Sequence, residues 1–543
     1  QDKHRQYQQL LDSTTDEVRL FRSVEQGFFA LFHFGTEHRT MIVLLLMAIT
    51  LLITCVSYQH ISLVSPRFQR DYRVQSGSTL LASAMLLWSS LRYLQISSDS
   101  GVPIEQPEQH MAWVGLFSAM LVISAWQFRV PPRLSATQGL GTWSQALRTV
   151  PLGSLMTMLA GSYYFIKGHP SGLAIYVSSL TEIPSLTLHL ALFIWCGMLF
   201  KQSRMIDLFM NLLRPWQLSP ETLTYLILLA AAVPTAYTGG SGAFVMAAGA
   251  IIYHEIRNVG GSRQYALGAT AMSGSLGVVI SPSLIVMSIV AVNNQVTSAE
   301  LFYWGNWVFL MTSTLFFLAS QWRRPTRTRQ WPSVLQALPA MMREVPPLLS
   351  HVALVLAVLG MYRVVLHTEL TETSAALIMP VVMLLVVGFD QLMRAQGIGP
   401  DPRQMAHALR RENSLRASVR VSTSETATHL GGYIYLILLS QALGGVIERS
   451  DLMQWAPSHF DTPYAAMAFL AGLLVLLGMF MEPLGAIFLV SSSLAPLAMA
   501  NGIDPVHFWM LVLVAFELGY LLPPVALNQL LARQVVGHDR IDR

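Results

Sequence analysis

The sequence predicts an all-α, polytopic integral membrane protein, and its composition is the first reason. Of its 543 residues, 53% are hydrophobic and only 12% are charged, whereas soluble proteins carry about 25% charged residues. Several apolar runs approach the length of a membrane-spanning helix, and they do not alternate as the strands of a membrane β-barrel would. Three such runs lie at 41–57, 111–128 and 465–480.

Residues 1–145 form a predicted N-terminal membrane region. The first forty residues are charged and polar, which argues against a cleavable signal peptide, and the stretch 24–34 is typical of an amphipathic helix. A polar linker that contains Pro and Gly, at 129–148, is the best candidate for a domain boundary. The candidate spans of this region lie near 41–57, 78–95 and 111–128.

Arginine-rich loops account for the small net charge of +4. Such loops mark the cytoplasmic side of membrane proteins, and we prefer this interpretation to nucleic-acid binding. Cys55 and Cys196 lie in separate apolar runs without a CxxC or Cys/His pattern, so neither a disulfide framework nor a structural metal is expected. The loop arginines are Arg323, Arg324, Arg327 and Arg329 in one loop and Arg403, Arg410, Arg411 and Arg416 in the other.

The rest of the chain is predicted to hold two repeats, 146–330 and 331–543. Each reads as an apolar segment, a small or helix-breaking turn, a second apolar segment, a polar turn and a third apolar segment with a break. "GGSGAF" at 239–244 aligns with "EPLGAIF" at 482–488. Gly and Pro are common in membrane helices, but the shared offset and order favour a duplication over coincidence. Three residues recur 242 positions later: Gly260, Gly277 and Pro282 correspond to Gly502, Gly519 and Pro524.

Broken helices in inverted repeats are typical of secondary transporters. Each break leaves backbone N–H and C=O groups that lipid cannot satisfy, so these groups face protein, water or a ligand. The carbonyl ends of helices attract cations, and helix N-termini attract carboxylates. We therefore expect each repeat to contribute half of a site, in which a hairpin tip lies opposite a discontinuous helix.

The first predicted half-site is a hairpin tip rich in Gly and Ser. Its carbonyls and hydroxyls would bind a cation, because Gly lets the backbone approach an ion closely. The alternative is a surface of small residues for close helix packing, and we prefer the site because the following break supplies a second polar set. The candidates are Thr238, Gly239, Gly240, Ser241 and Gly242 at the tip, with Gly277, Ser281 and Ser283 at the break.

The second predicted half-site contains a carboxylate, Glu482, inside an apolar run. Such a residue is a functional candidate by default, and it would also suit the N-cap of the following helix. The two roles are compatible. Asn528, at the opposing break, offers both a carbonyl and an amide. The candidates are Glu482 and Pro483 at the tip, with Gly519, Pro523, Pro524 and Asn528 at the break.

Three further polar residues stand in apolar surroundings. Glu517 precedes the second break by one turn, and we prefer a structural role, beside an arginine or at a water-exposed helix end, to proton coupling. Arg363 ends an apolar helix, where it could bind a substrate carboxylate bidentately or, as we prefer, extend to the membrane interface. His429 is expected at the start of a span.

Several motifs occur in the order of a known family. "GSLGVVISPSLIV" (274–286) is similar to that family's Leu-Gly-Ile-Leu-Ile-Pro-Pro-Ser signature, with Ser281 in place of one proline. From about residue 149 to residue 535 the chain resembles the large membrane subunit of TRAP transporters, the tripartite ATP-independent periplasmic carriers. The other matching stretches are 242–260, 297–305, 370–377, 477–508 and 518–531, of which the last two are the closest matches.

The resemblance implies an elevator-type transporter, usually coupled to sodium, that imports organic acids across the bacterial inner membrane. It also implies a periplasmic substrate-binding protein and a small membrane subunit, for which residues 1–145 are the candidate as a fused part. Sodium ions are the expected cofactor, without an organic one. By the family match alone, Thr371 and Thr373 in "LTETSAAL" are candidates for substrate binding, beside Arg363.

Two rival functions remain open. "GGSG" at 239–242 fits the Gly-x-Ser-Gly of rhomboid intramembrane proteases, but a serine nucleophile needs a positioned base. His254 follows Ser241 by thirteen residues, about 20 Å along a helix, so we do not expect an enzyme. The other rival is a sodium/proton antiporter on a related repeat fold, in which Glu482 and Glu517 would carry protons.

Overall fold

The protein is helical throughout the part of the chain that can be described. Within that part, the irregular segments are connections, with one isolated β-bridge between Ser62 and Pro151. The all-α prediction is therefore confirmed. The computed structural model describes residues 15–101, 104, 106–132, 141–182, 184–238, 241–322, 334–396, 412, 414–450, 457–523 and 525–537.

Seven of the described helices are long and apolar enough to cross a membrane. An eighth span is added if the segments Arg263–Val279 and Leu284–Val292, which meet at an angle of 45°, count as one broken helix. These numbers confirm a multi-pass membrane protein. The seven are Arg39–Ser57, Pro107–Arg129, Ser298–Trp322, Val334–Val365, Ser374–Ala395, Leu415–Arg449 and Pro463–Phe480.

The described part of the chain begins with helix α1, Asp16–Glu37, whose N-cap is the side chain of Thr15. Large apolar side chains such as Phe21 and Val24 are exposed on it, as expected for an amphipathic helix. Helices α2 (Arg39–Ser57) and α4 (Pro107–Arg129) contain two of the predicted spans. Both predictions are confirmed.

The third predicted span, 78–95, lies inside the 32-residue helix α3, Gln69–Ser100. This helix is not among those apolar enough to count as a span. The reason is its polar face, because Gln75, Thr79 and Ser83 are buried against neighbouring helices instead of facing lipid. The predicted segment is helical, as expected, but the helix is too polar to count as a membrane span.

The next four helices span the end of the N-terminal region and the first part of the predicted repeat 146–330. They are short or of moderate length, and a 3₁₀ turn at Ser179–Glu182 separates the last two. Helix α3 packs against three of them, α5, α6 and α7. The four are α5 (Trp143–Leu147), α6 (Leu152–Ile166), α7 (Gly172–Ser178) and α8 (Pro184–Gln202).

The first repeat contains a helical hairpin followed by a broken helix. Residues 239–240, between the two helices of the hairpin, lie outside the described residues, and the break follows a 3₁₀ turn at Leu276–Val279. The helices are α9 (Met205–Leu213), α10 (Pro220–Thr238), α11 (Ser241–Asn258), α12 (Arg263–Met272), α13 (Leu284–Val292) and α14 (Ser298–Trp322).

The second repeat has the same order of elements. Its hairpin tip lies between α18 and α19, a π-helical turn at Val490–Leu494 follows α19, and the break separates α21 from α22. The helices are α15 (Val334–Val365), α16 (Glu372–Ala395), α17 (Leu415–Arg449), α18 (Pro463–Phe480), α19 (Pro483–Leu489), α20 (Ala495–Ala500), α21 (Pro505–Leu521) and α22 (Leu527–Val536).

Matched glycines of the two repeats make matched contacts. Gly277 packs against Ala232 and Thr235 of α10, so closely that an added Cβ would overlap them. Gly519 packs in the same way against Val475 and Gly478 of α18, which lie 243 positions after Ala232 and Thr235. The offset read from the sequence is thus reproduced in three dimensions.

Helix α17 runs through the centre of the molecule and is mostly buried. It begins at Leu415, where the side chain of Ser414 accepts a hydrogen bond from the Ala417 N–H. His429 therefore lies in mid-helix and not at a helix end, while the apolar stretch 430–447 of the same helix begins directly after it. The polar stretch before it continues the helix because side chains such as Ser422 are buried against other helices.

The N-terminal region packs on this central helix. Thr54 of α2 donates a hydrogen bond to the Thr428 carbonyl, 2.8 Å away. Gly431 lies against the Thr50 carbonyl with no room for a Cβ, a close approach typical of membrane helices. Of the basic loops, 323–333 and 397–411 lie outside the described residues, and Arg416 is exposed at the start of α17.

Candidate functional site

Seven polar side chains meet where the hairpin tips and the broken helices approach α17, and we call them the central polar cluster. They come from six different parts of the fold, and most are almost fully buried. Two are carboxylates. The members are Ser241, Ser275, Tyr433, Glu482, Glu517, Tyr520 and Asn528.

Asn528 joins the first hairpin tip to the first break. Its Oδ1 accepts a hydrogen bond from the Ser241 Oγ at 3.4 Å, and its Nδ2 donates to the Ser275 Oγ at 3.3 Å. Ser241 and Asn528 are fully buried. Ala526 has a φ of 49°, and this left-handed residue turns the chain immediately before α22 and aims Asn528 at Ser241.

The pairing of tip and break crosses the two repeats. We expected each tip to face the break of its own repeat, with Asn528 opposite Glu482. The structure has contacts within the first repeat, where Gly274 of the first break lies against the Ser241 backbone. It also has contacts across the repeats, because α11 packs against α22 and α13 packs against α19. Gly242 lies against Leu531 and Tyr433, with the Asn528 Oδ1 beyond them. The expected pairing is therefore incomplete, because Asn528 meets the tip of the other repeat.

Glu482 caps α19 and also anchors the second tip to α17. One carboxylate oxygen accepts from the Gly485 N–H at 3.2 Å, and the other accepts from the Tyr433 hydroxyl at 2.8 Å. The Glu482 N–H donates to the Ser440 Oγ at 2.9 Å. The predicted N-cap is confirmed, and it holds a buried carboxylate in the cluster.

Glu517 is buried, with 7% of its surface exposed. In the described part of the chain, no hydrogen bond of good geometry reaches its carboxylate oxygens, and no ion pair includes it. Ser241 and Ser275 are its polar neighbours. Our preferred interpretation, an arginine partner or a water-exposed helix end, is therefore wrong.

A small cavity lies against Glu517. Its walls come from the first break, the second tip and α21, and Glu517 is the only lining residue with a charged side chain among the described residues. Val278, Ile285, Pro483, Ile487 and Phe516 are among the apolar lining residues. The cavity thus lies between elements of the two repeats, next to the central polar cluster.

The first break contributes a different serine from the two predicted. Ser283 is buried as the N-cap of α13, where its Oγ accepts from the Val286 N–H at 3.5 Å, and Ser281 is exposed. Ser275, two residues before Gly277, supplies the hydroxyl to the cluster. Its place in "SGSLG" was a usable signal, because a serine beside a close-packed glycine lies near the neighbouring backbone.

Some of the other predicted cation-site residues lie at the second tip and the second break, and the rest lie outside the described residues. Pro483 is the first residue of α19, and Pro523 is exposed at the second break. Gly239, Gly240, Pro524 and the side chain of Thr238 fall outside the described residues, so their roles stay predictions.

The predicted substrate residues lie around the turn between α15 and α16. Arg363 is exposed and pairs with Glu369, with an N–O distance of 3.3 Å. Thr371 is the N-cap of α16 in a reciprocal capping box with Ser374. The side chain of Thr373 lies outside the described residues. Substrate binding by these three residues stays a prediction.

The chemistry of the central polar cluster suits a hard cation such as sodium. Its side chains offer hydroxyl, amide and carboxylate oxygens, the ligands that hard cations prefer. Among the described residues, no group of three or more His, Cys, Asp or Glu side chains is placed to hold a metal ion, and both cysteines are free. A transition-metal centre therefore has no ligand set in the described chain.

The geometry does not support a serine protease. The hydrogen bond of Ser241 goes to an amide oxygen of Asn528, which cannot act as a general base. His254 lies near the other end of α11, with its ring against Tyr253. A nucleophile and base would need to lie within hydrogen-bonding reach of each other.

The fold contains two similar repeats, and their broken helices meet at a buried polar centre. These features define the class: a polytopic membrane protein built from internal repeats. The comparison with protein families then gives the specific assignment. The model of the tripartite ATP-independent periplasmic transporter DctM component matches residues 145–542. The chain belongs to this family, and the resemblance seen in the sequence is confirmed.

Curated relatives agree with this assignment. The chain is 27% identical over 307 residues to the C4-dicarboxylate TRAP transporter large permease protein DctM of Vibrio cholerae, covering 54% of this chain and 64% of the relative. It is 26% identical over 326 residues to the protein of the same name from Rhodobacter capsulatus, covering 55% and 67%. A shorter match, 38% over 65 residues, covers 12% of this chain and 10% of the isethionate TRAP transporter permease protein DctMQ of Oleidesulfovibrio alaskensis.

Proposed function

We propose that this protein is a secondary active transporter that imports an organic acid across the bacterial inner membrane, driven by a sodium gradient. A periplasmic binding protein delivers the substrate. The observation that carries the proposal is the meeting of Ser241 and Asn528, which joins a hairpin tip to a broken helix of the other repeat. Sites of this construction are typical of secondary transporters.

The cation half of the proposal rests on buried oxygen atoms at the central polar cluster. Ser241, Ser275 and Asn528 hold one another in place by hydrogen bonds, so their oxygens are oriented before a ligand arrives. A bound sodium ion would supply positive charge beside the tips. The two repeats together position these residues, so a relative movement of the repeats changes the site.

The substrate half rests on the helix N-termini at the tips. Helix α11 begins at the cluster, and helix N-termini favour anions. The N-terminus of α19 also lies there but already holds the Glu482 carboxylate. The relatives are named for a C4-dicarboxylate, isethionate and, in another Vibrio cholerae permease that is 30% identical over 107 residues, sialic acid. We propose a carboxylate of this range, with a C4-dicarboxylate as the first compound to test.

We further propose that the repeats are inverted and move as an elevator. The matched contacts of Gly277 and Gly519 support a common internal structure, and packing of each hairpin on the other repeat's broken helix supports a pseudo-two-fold relation. Residues 1–145 would then act as the small membrane subunit, fused to the transporter and docked on α17 through Thr54 and Gly431.

Uptake into proteoliposomes tests this function. The full chain is reconstituted, and entry of radiolabelled succinate is followed with and without an inward sodium gradient and a binding protein encoded beside its gene. We expect uptake only when both are present. Exchange of sodium for protons without succinate uptake or a binding protein would favour the sodium/proton antiporter, and no uptake of any organic acid under any gradient would contradict the proposed import.

A further inference from the structure

Glu517 has a buried carboxyl group, and the described residues around it supply no countercharge. Only 7% of its surface is exposed, and in the described chain no hydrogen bond of good geometry reaches its oxygens, although the Ser241 and Ser275 hydroxyls lie close by. The Tyr520 hydroxyl, one turn further along α21, is also buried, and its near neighbour is Glu482. An ionised carboxylate buried without a countercharge has a high free energy. Binding of a cation beside it would lower that free energy.

The neighbouring elements do not supply a positive charge. The titratable groups that face Glu517 are Glu482 at the start of α19, Tyr433 of α17 and Tyr520 of its own helix. Helix α11 and the first break present the hydroxyls of Ser241 and Ser275. Among the described residues, no Lys, Arg or His acts on the Glu517 carboxyl.

Glu482 differs from Glu517 in having its oxygens occupied. Its carboxylate accepts hydrogen bonds from Tyr433 and from the Gly485 N–H, so it is held by the protein itself. Asn528 likewise uses its amide in bonds to Ser241 and Ser275. Glu517 is therefore the member of the central polar cluster with the most unused acceptor capacity in the described chain.

We propose that Glu517 is an anionic ligand of the cation site between the first hairpin tip and the second break, where Ser241, Ser275 and Asn528 supply neutral oxygens. The inference rests on the proposed cation coupling and adds a charged ligand to it. Charge on Glu517 then balances the charge of the bound cation, and its position on α21 makes the second repeat sensitive to whether the site is filled.

Sodium binding without substrate tests the proposal. The purified full chain in lipid nanodiscs is titrated with radioactive sodium at constant ionic strength, with choline as the replacement cation. Glu517→Gln should lower sodium affinity at least tenfold, equivalent to about 1.4 kcal/mol, and Glu517→Asp should lose less because it keeps the charge. Glu108→Gln, an exposed glutamate in the first turn of α4, is the matched control and should bind like the wild type.

An infrared measurement on the wild type tests the proposal even if the Glu517→Gln variant does not fold. Sodium, but not choline, should shift a carboxylate stretching band, and Glu517→Gln should lack that change. Sodium binding by Glu517→Gln equal to wild type, or a Glu517 carboxyl that stays protonated and ignores sodium, would overturn this inference alone. A wild-type protein that binds no sodium would instead overturn the proposed sodium coupling.

Discussion

The Ser241 hydroxyl lies 3.4 Å from the Asn528 amide oxygen, across 287 positions of sequence. This contact joins the first residue of α11 to the start of α22, so the first hairpin tip and the second break share one buried polar centre. Asn528 continues the connection to Ser275 at the first break. A substitution at any one of these residues is therefore expected to act on both repeats.

The close packing of Gly519 gives a test of the repeat structure. An added Cβ would lie 2.6 Å from the Val475 carbonyl oxygen and 2.7 Å from the Gly478 carbonyl carbon. Because backbone atoms cannot move aside easily, Gly519→Ala should destabilise the protein by about 1–3 kcal/mol. Thermal unfolding in detergent, followed by tryptophan fluorescence, measures the change.

Gly472 provides the matched control in α18. A Cβ there would meet nothing within 4 Å, so Gly472→Ala should leave the melting temperature unchanged or raise it slightly, because Ala favours a helix over Gly. Equal melting temperatures for the two variants would show that Gly519 is not under the steric constraint described.

The bond between Glu482 and Tyr433 should stabilise the second tip. Glu482→Ala removes the N-cap of α19, at a cost of about 1 kcal/mol, and leaves the buried Tyr433 hydroxyl unpaired, which adds about 1–3 kcal/mol. Tyr433→Phe removes the same bond from the other side. Since both changes break one interaction, the double variant should lose less stability than the two single losses added together. Strict additivity in thermal unfolding would argue that the bond contributes nothing.

A second buried pair lies outside the central polar cluster. The His351 Nε2 and the Asp390 Oδ1 are 2.7 Å apart, and both side chains are at most 3% exposed. Asp390 also accepts from the Arg204 N–H at 2.8 Å, so the pair ties α15, α16 and the start of α9 together. His351→Ala should therefore destabilise the protein by about 3 kcal/mol.

Arg363 serves as the comparison for His351. Its pair with Glu369 is exposed, with 74% and 66% of the two side chains accessible, and Arg363→Ala should change stability by less than about 1 kcal/mol. Melting temperatures of both variants measure the difference. A His351→Ala protein as stable as Arg363→Ala would contradict a structural role for the buried pair, whereas loss of uptake in a stable Arg363→Ala protein would support substrate binding there.

The sequence predicted the local elements well because their signals are local. Hairpin tips, breaks and the glycines at matched offsets depend on residues within one repeat, and the structure contains them. The N-cap role of Glu482 was predictable for the same reason, since an acidic residue directly before a Pro and an apolar helix is a local pattern.

The contacts between the repeats were not predictable in this way. The offset of 242 residues aligns each repeat with the other but does not say which tip meets which break. The contact of Asn528 with the first tip was therefore not predicted, Ser275 was overlooked in favour of Ser281 and Ser283, and Glu517 was expected to have a structural partner. Each of these depends on how the two repeats pack, which a local pattern does not contain.

The dependence of uptake on sodium in variants of Ser241 and Asn528 tests the central claim most directly. Initial rates of succinate uptake are measured against external sodium for the wild type, Ser241→Ala, Asn528→Ala and the double variant. If the two residues form one site, each single variant should need about tenfold more sodium, and the double variant should need little more than either. Sodium dependence equal to wild type in both single variants, with uptake intact, would contradict a cation site built across the two repeats.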